Sequence, residues 1–311
     1  MLRPALLYLS QNGLLKQLST RVGPARRAAM RFVAGERLED AIAVSRELSR
    51  QGASAEIDYL GENVRSRKQA EAAAGVYLRL LDRIATEGVD AQVSLKPTQT
   101  GLDLGQEICL ANLKRIVETA AGLGNFVWLD MEGSGYTDLT LEIYRQLRAE
   151  HSNVGVALQS YLYRSEKDVQ DVLAMGGTVR LCKGAYMESP RVAYPRKADV
   201  DRNFVRLAEV LLSSHRFQAI ATHDQNMVVR VVRFARDNGI PPRQYEFQML
   251  LGVRRDLQQR LVREGYRLRV YVPYGSEWYP YLMRRLAERP ANLLFILSSV
   301  AKEAVSRNGH S

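Results

Sequence analysis

The feature that most constrains the fold of this chain is a regular alternation of short β-rich runs with longer helical segments. Eight runs of five to seven residues are separated by segments that have helical periodicity, and several of these segments end at glycine. The runs are SAEIDYL, AQVSL, FVWLD, VGVAL, TVRLC, QAIAT, YEFQM and RLRVYV. Eight βα units within 311 residues predict an α/β fold of the (β/α)8 barrel type. A doubly wound parallel sheet is the alternative architecture.

The stretch in front of the first run has helical character. GERLEDAIAVSRELSRQG places Leu38, Ile42 and Leu48 on one side of a helix and Gly52 at its C-cap. We therefore predict an N-terminal helical segment at residues 1–52 and a barrel domain at residues 53–311.

The segment RLRVYVPYGSEWYPYLMRRLAE, residues 267–288, joins the last run to a final helix. Pro273 and Gly275 predict the end of the strand, and Pro280 is suited to the first helical position. Leu282 and Leu286 form a face of this helix that can pack on the protein.

The opposite face of the final helix carries residues at i, i+3, i+4 and i+7, which are Tyr281, Arg284, Arg285 and Glu288. One interpretation is a solvated face with an exposed ion pair, which contributes little to stability. The other is a binding face, because two adjacent guanidinium groups beside a tyrosine suit a planar carboxylate.

Polar residues lie at the ends of all eight runs, where barrel enzymes build their active sites. In chain order these residues are Glu62, Lys96, Asp130 with Glu132, Gln159, Arg180 with Lys183, Thr222 with His223, Gln248, and Tyr271. We expect them to converge on one cavity that is positive overall. KGAY at 183–186, with Arg180 nearby, favours an anionic, phosphate-bearing cofactor.

Composition and spacing argue against several other classes. The net charge of +10 favours anionic partners, but the charge is dispersed and lacks nucleic-acid-binding motifs, so we predict no nucleic-acid partner. The histidines at 151, 215, 223 and 310 lack ligand spacing, so no metal is predicted. Cys182 is interpreted as a small core residue. Two cysteines and no proper signal sequence favour a reducing cytoplasm, and no apolar run is long enough to span a bilayer.

The motifs at the run ends resemble those of the proline dehydrogenase family, flavoenzymes that oxidise L-proline to 1-pyrroline-5-carboxylate. They are LGEN at 60–63, SLKP at 94–97, WLDME at 128–132, ALQSYLYR at 157–164, VRLCKGAY at 179–186, ATHD at 221–224, EFQML at 246–250 and YLMRRLAE at 281–288. Their order and spacing make the resemblance specific, and the chain is similar to the short monofunctional form.

The resemblance implies a role for each matching residue. It makes Arg284 and Arg285 the clamp on the proline carboxylate, Lys96 a third positive partner, and Glu288 the residue that orients the arginines. The remaining roles concern the ring pocket, the catalytic groups and the cofactor site. Tyr271 and Tyr281 would shape the pocket, Asp130 and Arg180 would be catalytic, and FAD would contact Met131, Gln159, Arg180, Lys183, Gly184, Ala185, Thr222 and His223.

The resemblance also implies a gate, an electron acceptor and a location. Glu62 would pair with Arg284 to close the site, and the final helix would lie over the strand ends. A membrane quinone would reoxidise the flavin, so we expect a cytoplasmic protein with peripheral contact to an anionic inner membrane face. Two alternatives remain open. Another barrel flavoprotein, such as a relative of methylenetetrahydrofolate reductase, would share FAD and fold, and a basic nucleic-acid-binding protein would bind no flavin.

Overall fold

The chain forms a closed barrel of eight parallel strands in sequential order, as predicted, and the doubly wound sheet is excluded. The computed structural model describes residues 30–61 and 64–288, without the side chains of residues 284–288. The strands are β1 Ser54–Tyr59, β2 Ala91–Leu95, β3 Val127–Leu129, β4 Val154–Gln159, β5 Thr178–Cys182, β6 Gln218–Ala221, β7 Tyr245–Leu250 and β8 Leu268–Tyr274. All eight predicted runs are therefore strands.

Helices alternate with the strands and cover the outside of the barrel. They are α1 Leu38–Arg50, α2 Arg67–Glu87, α3 Gln106–Gly122, α4 Thr137–Glu150, α5 Ser165–Ala174, α6 Lys197–Leu212, α7 Gln225–Asp237, α8 Arg255–Arg263 and α9 Trp278–Glu288. Helix α2 shows why the boundaries are sharp. Ser66 accepts a hydrogen bond from the Gln69 N–H at its start, and Gly88 ends it in the left-handed region.

Each strand is buried on both faces, and the two faces differ in chemistry. In β1, Ala55 and Ile57 belong to the apolar cluster that the outer helices share, while Glu56 and Asp58 point to the barrel interior, where their partners lie. The interior is also filled by Trp128, whose indole N–H donates to Gln92 Oε1 at 2.8 Å. Alternation along a strand therefore assigns charged side chains to the inside of this barrel.

Helix α1 packs on the barrel, since Ala41, Ile42 and Leu48 belong to the same apolar cluster. The rest of the predicted N-terminal helical segment, up to residue 29, lies outside the described residues. Gly52 follows the C-cap residue Gln51 and has φ +80°, which suits glycine at this turn.

The passage from β8 to α9 differs from the prediction in both of its prolines. Pro273 does not end the strand, because it pairs with Asp58 of β1 at a point beyond the last β7–β8 pair, Leu250 with Tyr271. Its missing N–H therefore interrupts no bond of the β7–β8 ladder. Pro280 is the third residue of α9 rather than the first, and a proline is tolerated throughout the first turn.

The first half of α9 lies over the strand ends, as expected. Tyr281, Leu282 and Met283 are buried in a small apolar cluster that includes Leu60 after β1 and is contacted by Leu250 and Tyr271. Tyr281 was expected on a face separate from the packed Leu282. The structure buries both, so packing covers more than one side of this helix.

Candidate active site

Four side chains from different strands meet at the C-terminal end of the barrel. The Lys96 ammonium lies 3.1 Å from Asp58 Oδ2 and 3.6 Å from Asp130 Oδ2. The Tyr271 hydroxyl lies 2.6 Å from Asp58 Oδ2 and 3.0 Å from Asp130 Oδ2. One ammonium and one phenol therefore bridge two carboxyl groups.

Arg180 lies beneath this group and crosses the barrel interior from β5. Its guanidinium donates to Glu56 of β1, to Asp130 Oδ1 at 2.6 Å and to Ser94 Oγ at 3.0 Å. It also lies over the ring of Trp128, with the guanidinium carbon 5.1 Å from the ring centroid. Arg180 is thus held by β1, β2 and β3 at once.

The pKa shifts in this cluster have different causes. Burial raises the pKa of Asp58. Burial alone would also raise the pKa of Asp130, but Arg180 and Lys96 outweigh it and lower that pKa below its ordinary value. Burial and the neighbouring carboxyl groups raise the pKa of Tyr271 well above its ordinary value, so its hydroxyl keeps its proton at neutral pH.

Glu56 is a second buried acid that faces the same guanidinium. Its Oε1 accepts from Arg180, while its Oε2 is buried and has no hydrogen-bond partner among the described residues. Burial raises the pKa of Glu56 from 4.5 to about 7, against the opposing effect of Arg180. A buried acid with half of its hydrogen-bonding capacity unused is expected to hold its proton readily.

Replacing Glu56 with glutamine should remove a pH-dependent contribution to stability. The folded-state pKa of about 7 lies above the ordinary 4.5, so the contribution is complete below pH 4.5 and is lost as the pH rises through 7. This pKa shift corresponds to a change of about 3 kcal/mol in the free energy of unfolding. Urea unfolding of both proteins from pH 4.5 to 8 measures the difference. A constant difference in unfolding free energy across this range would contradict the raised pKa.

The structure brings four of the predicted site residues together, namely Lys96, Asp130, Arg180 and Tyr271. It places Lys183 elsewhere, because its ammonium pairs with Asp201 at 2.6 Å and with Asp224 at 3.3 Å. Arg180 points into the barrel, so the two cations have different partners. Their predicted role in holding an anionic cofactor stays a prediction.

The expectation of a cavity that is positive overall also fails within the described residues. Lys96, Arg180 and Lys183 are each paired with at least two carboxyl groups. Buried ammonium and guanidinium groups need such partners to offset the cost of leaving water. A net positive contribution would have to come from Arg284 and Arg285, whose side chains lie outside the described part.

Apart from Arg180, which lies in the barrel interior, the predicted cofactor residues line the rim on the β3 to β7 side. Gln159 Nε2 donates to the Met131 carbonyl at 3.2 Å, while Gln159 Oε1 is buried and has no partner in the described part of the chain. His223 Nε2 accepts from the Leu250 N–H at 2.8 Å, which leaves the proton of the neutral ring on Nδ1. Gln159 Oε1 is thus a buried hydrogen-bond acceptor close to the Met131 carbonyl, and it could accept from a ring N–H of a heterocycle.

The other cofactor positions are backbone or hydroxyl sites. Thr222 Oγ1 accepts from the Asp224 N–H at 3.1 Å. Gly184 has φ +110°, and a Cβ atom there would lie 2.4 Å from the ring of Tyr161, so no larger residue fits. Ala185 follows directly and lies partly exposed at the rim.

The remaining predicted residues belong to α9 and to the loop after β1. Tyr281 is buried over Tyr271 and so lies at the site. Helix α9 includes Arg284, Arg285 and Glu288, but their side chains lie outside the described part of the chain. Glu62 lies outside it entirely. Their roles as clamp, orienting residue and gate stay predictions.

Sequence reasoning missed Asp58, Glu56 and Ser94. The signal was present in SAEIDYL, where Glu56 and Asp58 alternate with Ala55 and Ile57. In a barrel whose strands are buried on both faces, acidic residues at alternate positions must point into the interior. The predicted residues at the ends of the first two runs are Glu62 and Lys96, which lie beyond these interior groups of β1 and β2. Within the described residues, no group of three or more His, Cys, Asp or Glu side chains is placed to hold a metal ion.

Comparisons with known proteins agree with this geometry. A family model described as proline dehydrogenase matches residues 41–297. Proline dehydrogenase 1 from Bacillus subtilis subsp. natto is 42% identical over 303 residues, which cover 97% of this chain and 100% of that protein. Proline dehydrogenase from Deinococcus radiodurans is 40% identical over 305 residues, covering 96% of this chain and 98% of that one.

A solved structure with a similar fold comes from a related protein. The crystal structure of proline utilization A (PutA) from Bdellovibrio bacteriovorus, inactivated by N-propargylglycine, superposes with a TM-score of 0.79 and 27% identity. The match covers 84% of this chain and 32% of that longer chain. Together with the strand-end cluster, these similarities show that the chain belongs to the proline dehydrogenase family of proline-oxidising enzymes.

Proposed function

We propose that this enzyme oxidises L-proline to 1-pyrroline-5-carboxylate with FAD as the hydride acceptor, and that a membrane quinone takes the electrons onward. The observation that carries the proposal is the cluster of Lys96, Asp130, Arg180 and Tyr271 at the strand ends, covered by the first half of α9. It combines cations, a proton donor and acceptors in a site that packing shields from water.

The rim residues fit FAD. Gln159 Oε1, which is buried and has no partner among the described residues, offers an acceptor to a ring N–H, and His223 carries its proton on Nδ1 in the neutral form. We assign FAD contacts to the eight predicted positions, namely Met131, Gln159, Arg180, Lys183, Gly184, Ala185, Thr222 and His223. Bound FAD would supply the two-electron acceptor, which no side chain of the site provides. Lys183 would act there from within its ion pairs with Asp201 and Asp224.

The substrate would be held by side chains on several elements. Arg284 and Arg285 would clamp the carboxylate, with Glu288 orienting them, and Lys96 would add a third positive contact. Tyr271 and Tyr281 would enclose the ring from β8 and α9. Fixing the ring in this way lowers the entropic part of the barrier.

The described residues also control protons and water. Asp130 is the carboxylate that the cluster keeps ionised, because Arg180 and Lys96 lower its pKa. It can therefore accept a hydrogen bond or a proton from a substrate amine. Tyr281, Leu282 and Met283 exclude water from above by packing on the strand ends.

The gate is proposed as an ion pair between Glu62 and Arg284. Replacing Glu62 with alanine should leave the fold and FAD in place, raise KM and slow flavin reduction, because closure fixes the reactive geometry. The expected loss in the free energy of closing the site is about 1 kcal/mol, as for other partly hydrated ion pairs. Anaerobic stopped-flow measurements over a proline titration test it, with the exposed Glu71→Ala on α2 as control. Equal rates of flavin reduction in the wild type and Glu62→Ala would contradict the proposed gate.

Reoxidation by a membrane quinone would require transient contact with a bilayer. In residues 30–61 and 64–288, no helix has both the length and the apolar character to cross one. We propose a cytoplasmic enzyme whose net charge of +10 favours peripheral contact with an anionic inner membrane face. Sedimentation with anionic liposomes at low salt tests this contact, and failure to sediment would count against it.

Absorbance of the purified protein tests the central proposal. The protein should be yellow, and its flavin bands should bleach on adding L-proline without oxygen. Reduced nicotinamide serves as the control, because a relative of methylenetetrahydrofolate reductase would respond to it instead. A folded but colourless protein would contradict the FAD assignment, and flavin that proline does not bleach would contradict the reaction.

A further inference from the structure

We propose that Asp58 and Asp130 form a pair that holds one shared proton through Tyr271, and that this pair takes up the proton which the substrate amine must lose before oxidation. Asp58 acts through Tyr271 and Asp130 and is therefore a positioning and proton-holding residue. This role rests on the proposed oxidation of a secondary amine, while the shared proton itself does not.

For Tyr271 to hydrogen-bond both acids at once, one of the two must carry a proton. The Tyr271 hydroxyl lies within hydrogen-bonding distance of Asp58 Oδ2 at 2.6 Å and of Asp130 Oδ2 at 3.0 Å. A phenol has a single proton and can donate it to only one of them. The other contact is a hydrogen bond only if that carboxyl group is protonated and donates to the phenol oxygen. An unbroken chain from Asp58 through Tyr271 to Asp130 results.

The surroundings of Asp58 favour a neutral acid there. Asp58 is 0% exposed, whereas the side chain of Asp130 is 16% exposed. The other oxygen, Asp58 Oδ1, lies 3.3 Å from the Tyr77 hydroxyl, which has a nearer acceptor in Gln99 Oε1 at 3.0 Å. The Tyr77 oxygen can therefore accept a hydrogen bond from a protonated Asp58, so a proton on either oxygen of the acid has an acceptor.

The charges around the pair place the proton at its inner end. Among the described residues, the charged and titratable groups that face it are Glu56 on β1, Tyr77 on α2, Lys96 after β2, Arg180 on β5, Tyr271 and Tyr274 on β8, and Tyr281 on α9. Burial raises the pKa of Asp58, while Arg180 and Lys96 lower that of Asp130. Asp130 is thus the ionised and partly exposed end that can meet a substrate.

The chemistry of amine oxidation uses such a pair. A secondary ammonium has no lone pair, so its N–H bond must break before the neighbouring C–H bond can lose a hydride. The proton passes to Asp130, and the lone pair left on nitrogen forms the C=N bond as the hydride leaves with two electrons for the proposed FAD. The pair then holds two protons, and one returns to solvent from Asp130, whose side chain is 16% exposed.

Infrared spectroscopy tests the shared proton without using activity. Wild-type protein with ¹³C-labelled aspartate should show a carboxylic-acid carbonyl band at neutral pH that shifts with the label. An acid band from Glu56 does not shift with it. Asp58→Asn should lose the shifted band, and Asp103→Asn should keep it, since Asp103 is an exposed aspartate that also accepts from a tyrosine, Tyr136, at 2.9 Å. No label-sensitive acid band in the wild type would overturn the proposal, even if Asp58→Asn fails to fold.

The pH profile of flavin reduction by proline tests the role of the pair. Asp58→Asn should slow reduction roughly tenfold or more and displace the acid limb, because asparagine keeps the shape but cannot carry the proton. A folded Asp58→Asn protein with an unmoved acid limb would overturn the role, since a purely structural residue would leave the limb in place. If proline reduces neither protein, the proposed function and the role fail together, and the infrared result still decides the shared proton.

Discussion

Replacing Arg285 with methionine should lower kcat/KM for proline by a factor that corresponds to about 2–5 kcal/mol of activation free energy. The change removes one guanidinium from the proposed carboxylate clamp and leaves a charged group unpaired. The protein should keep its FAD, since Arg285 lies on α9 and the proposed cofactor residues lie on the rim from β3 to β7. Methionine retains the length of the aliphatic stem, so packing of the helix should change little. Steady-state kinetics together with the flavin spectrum measure both effects.

Two controls separate the clamp from a general effect of charge. Arg285→Lys keeps the charge but replaces a planar fork with a point donor, and it should recover only part of the loss. Arg263→Met removes an exposed arginine near the end of α8 and should leave kinetics unchanged. Wild-type kcat/KM in Arg285→Met would show that this face of α9 is solvated, which was the other interpretation of the sequence.

The barrel could be predicted from the sequence because its signals are local. Each strand is a short apolar run bounded by helical segments, and the run lengths agree with the observed strands to within about two residues at each end. Pro273 shows the limit of such signals. A proline normally ends a strand, but here β7 stops pairing two residues earlier, so the fold tolerates it.

The strand ends identified Lys96, Asp130, Arg180 and Tyr271 as site residues, but not their partners. The contact between Tyr271 and Asp58 joins residues that are 213 positions apart, and it exists only because β1 and β8 close the barrel. Local patterns carry no information about such closure. The sequence therefore located the site, its cations Lys96 and Arg180, and Asp130, while the acids Glu56 and Asp58 required the three-dimensional structure.

The contrast between Arg180 and Lys183 has a similar cause. The two residues are three positions apart and look like neighbours in the sequence. Arg180 lies within β5 and points inward, whereas Lys183 follows the strand and reaches Asp201 on α6 and Asp224 at the start of α7. Proximity along the chain therefore did not reveal that the two cations have different partners.

Replacing Arg180 with methionine should destabilise the fold by about 3–5 kcal/mol at pH 8, the usual cost of leaving buried charges without their partner. Arg180 is the guanidinium that contacts both Glu56 and Asp130, and burial alone would lower its pKa, but these acids outweigh that effect and keep it charged. Methionine fills a similar volume, so the loss should come from electrostatics rather than from a cavity. Urea unfolding at several pH values measures it.

The pH dependence of this loss identifies its origin. Without Arg180, the cation that opposes burial is Arg269 for Glu56 and Lys96 for Asp130, so the folded-state pKa of each acid should rise above its value in the folded wild type. The variant then binds more protons when folded, and its stability falls as the pH rises from about 4.5. The deficit relative to wild type should therefore be small at acid pH and largest above neutrality. Arg145→Met, which removes an exposed arginine paired with Glu142 on α4, should cost at most about 0.5 kcal/mol at any pH. A deficit in Arg180→Met that does not change with pH would assign the loss to packing against Trp128 instead.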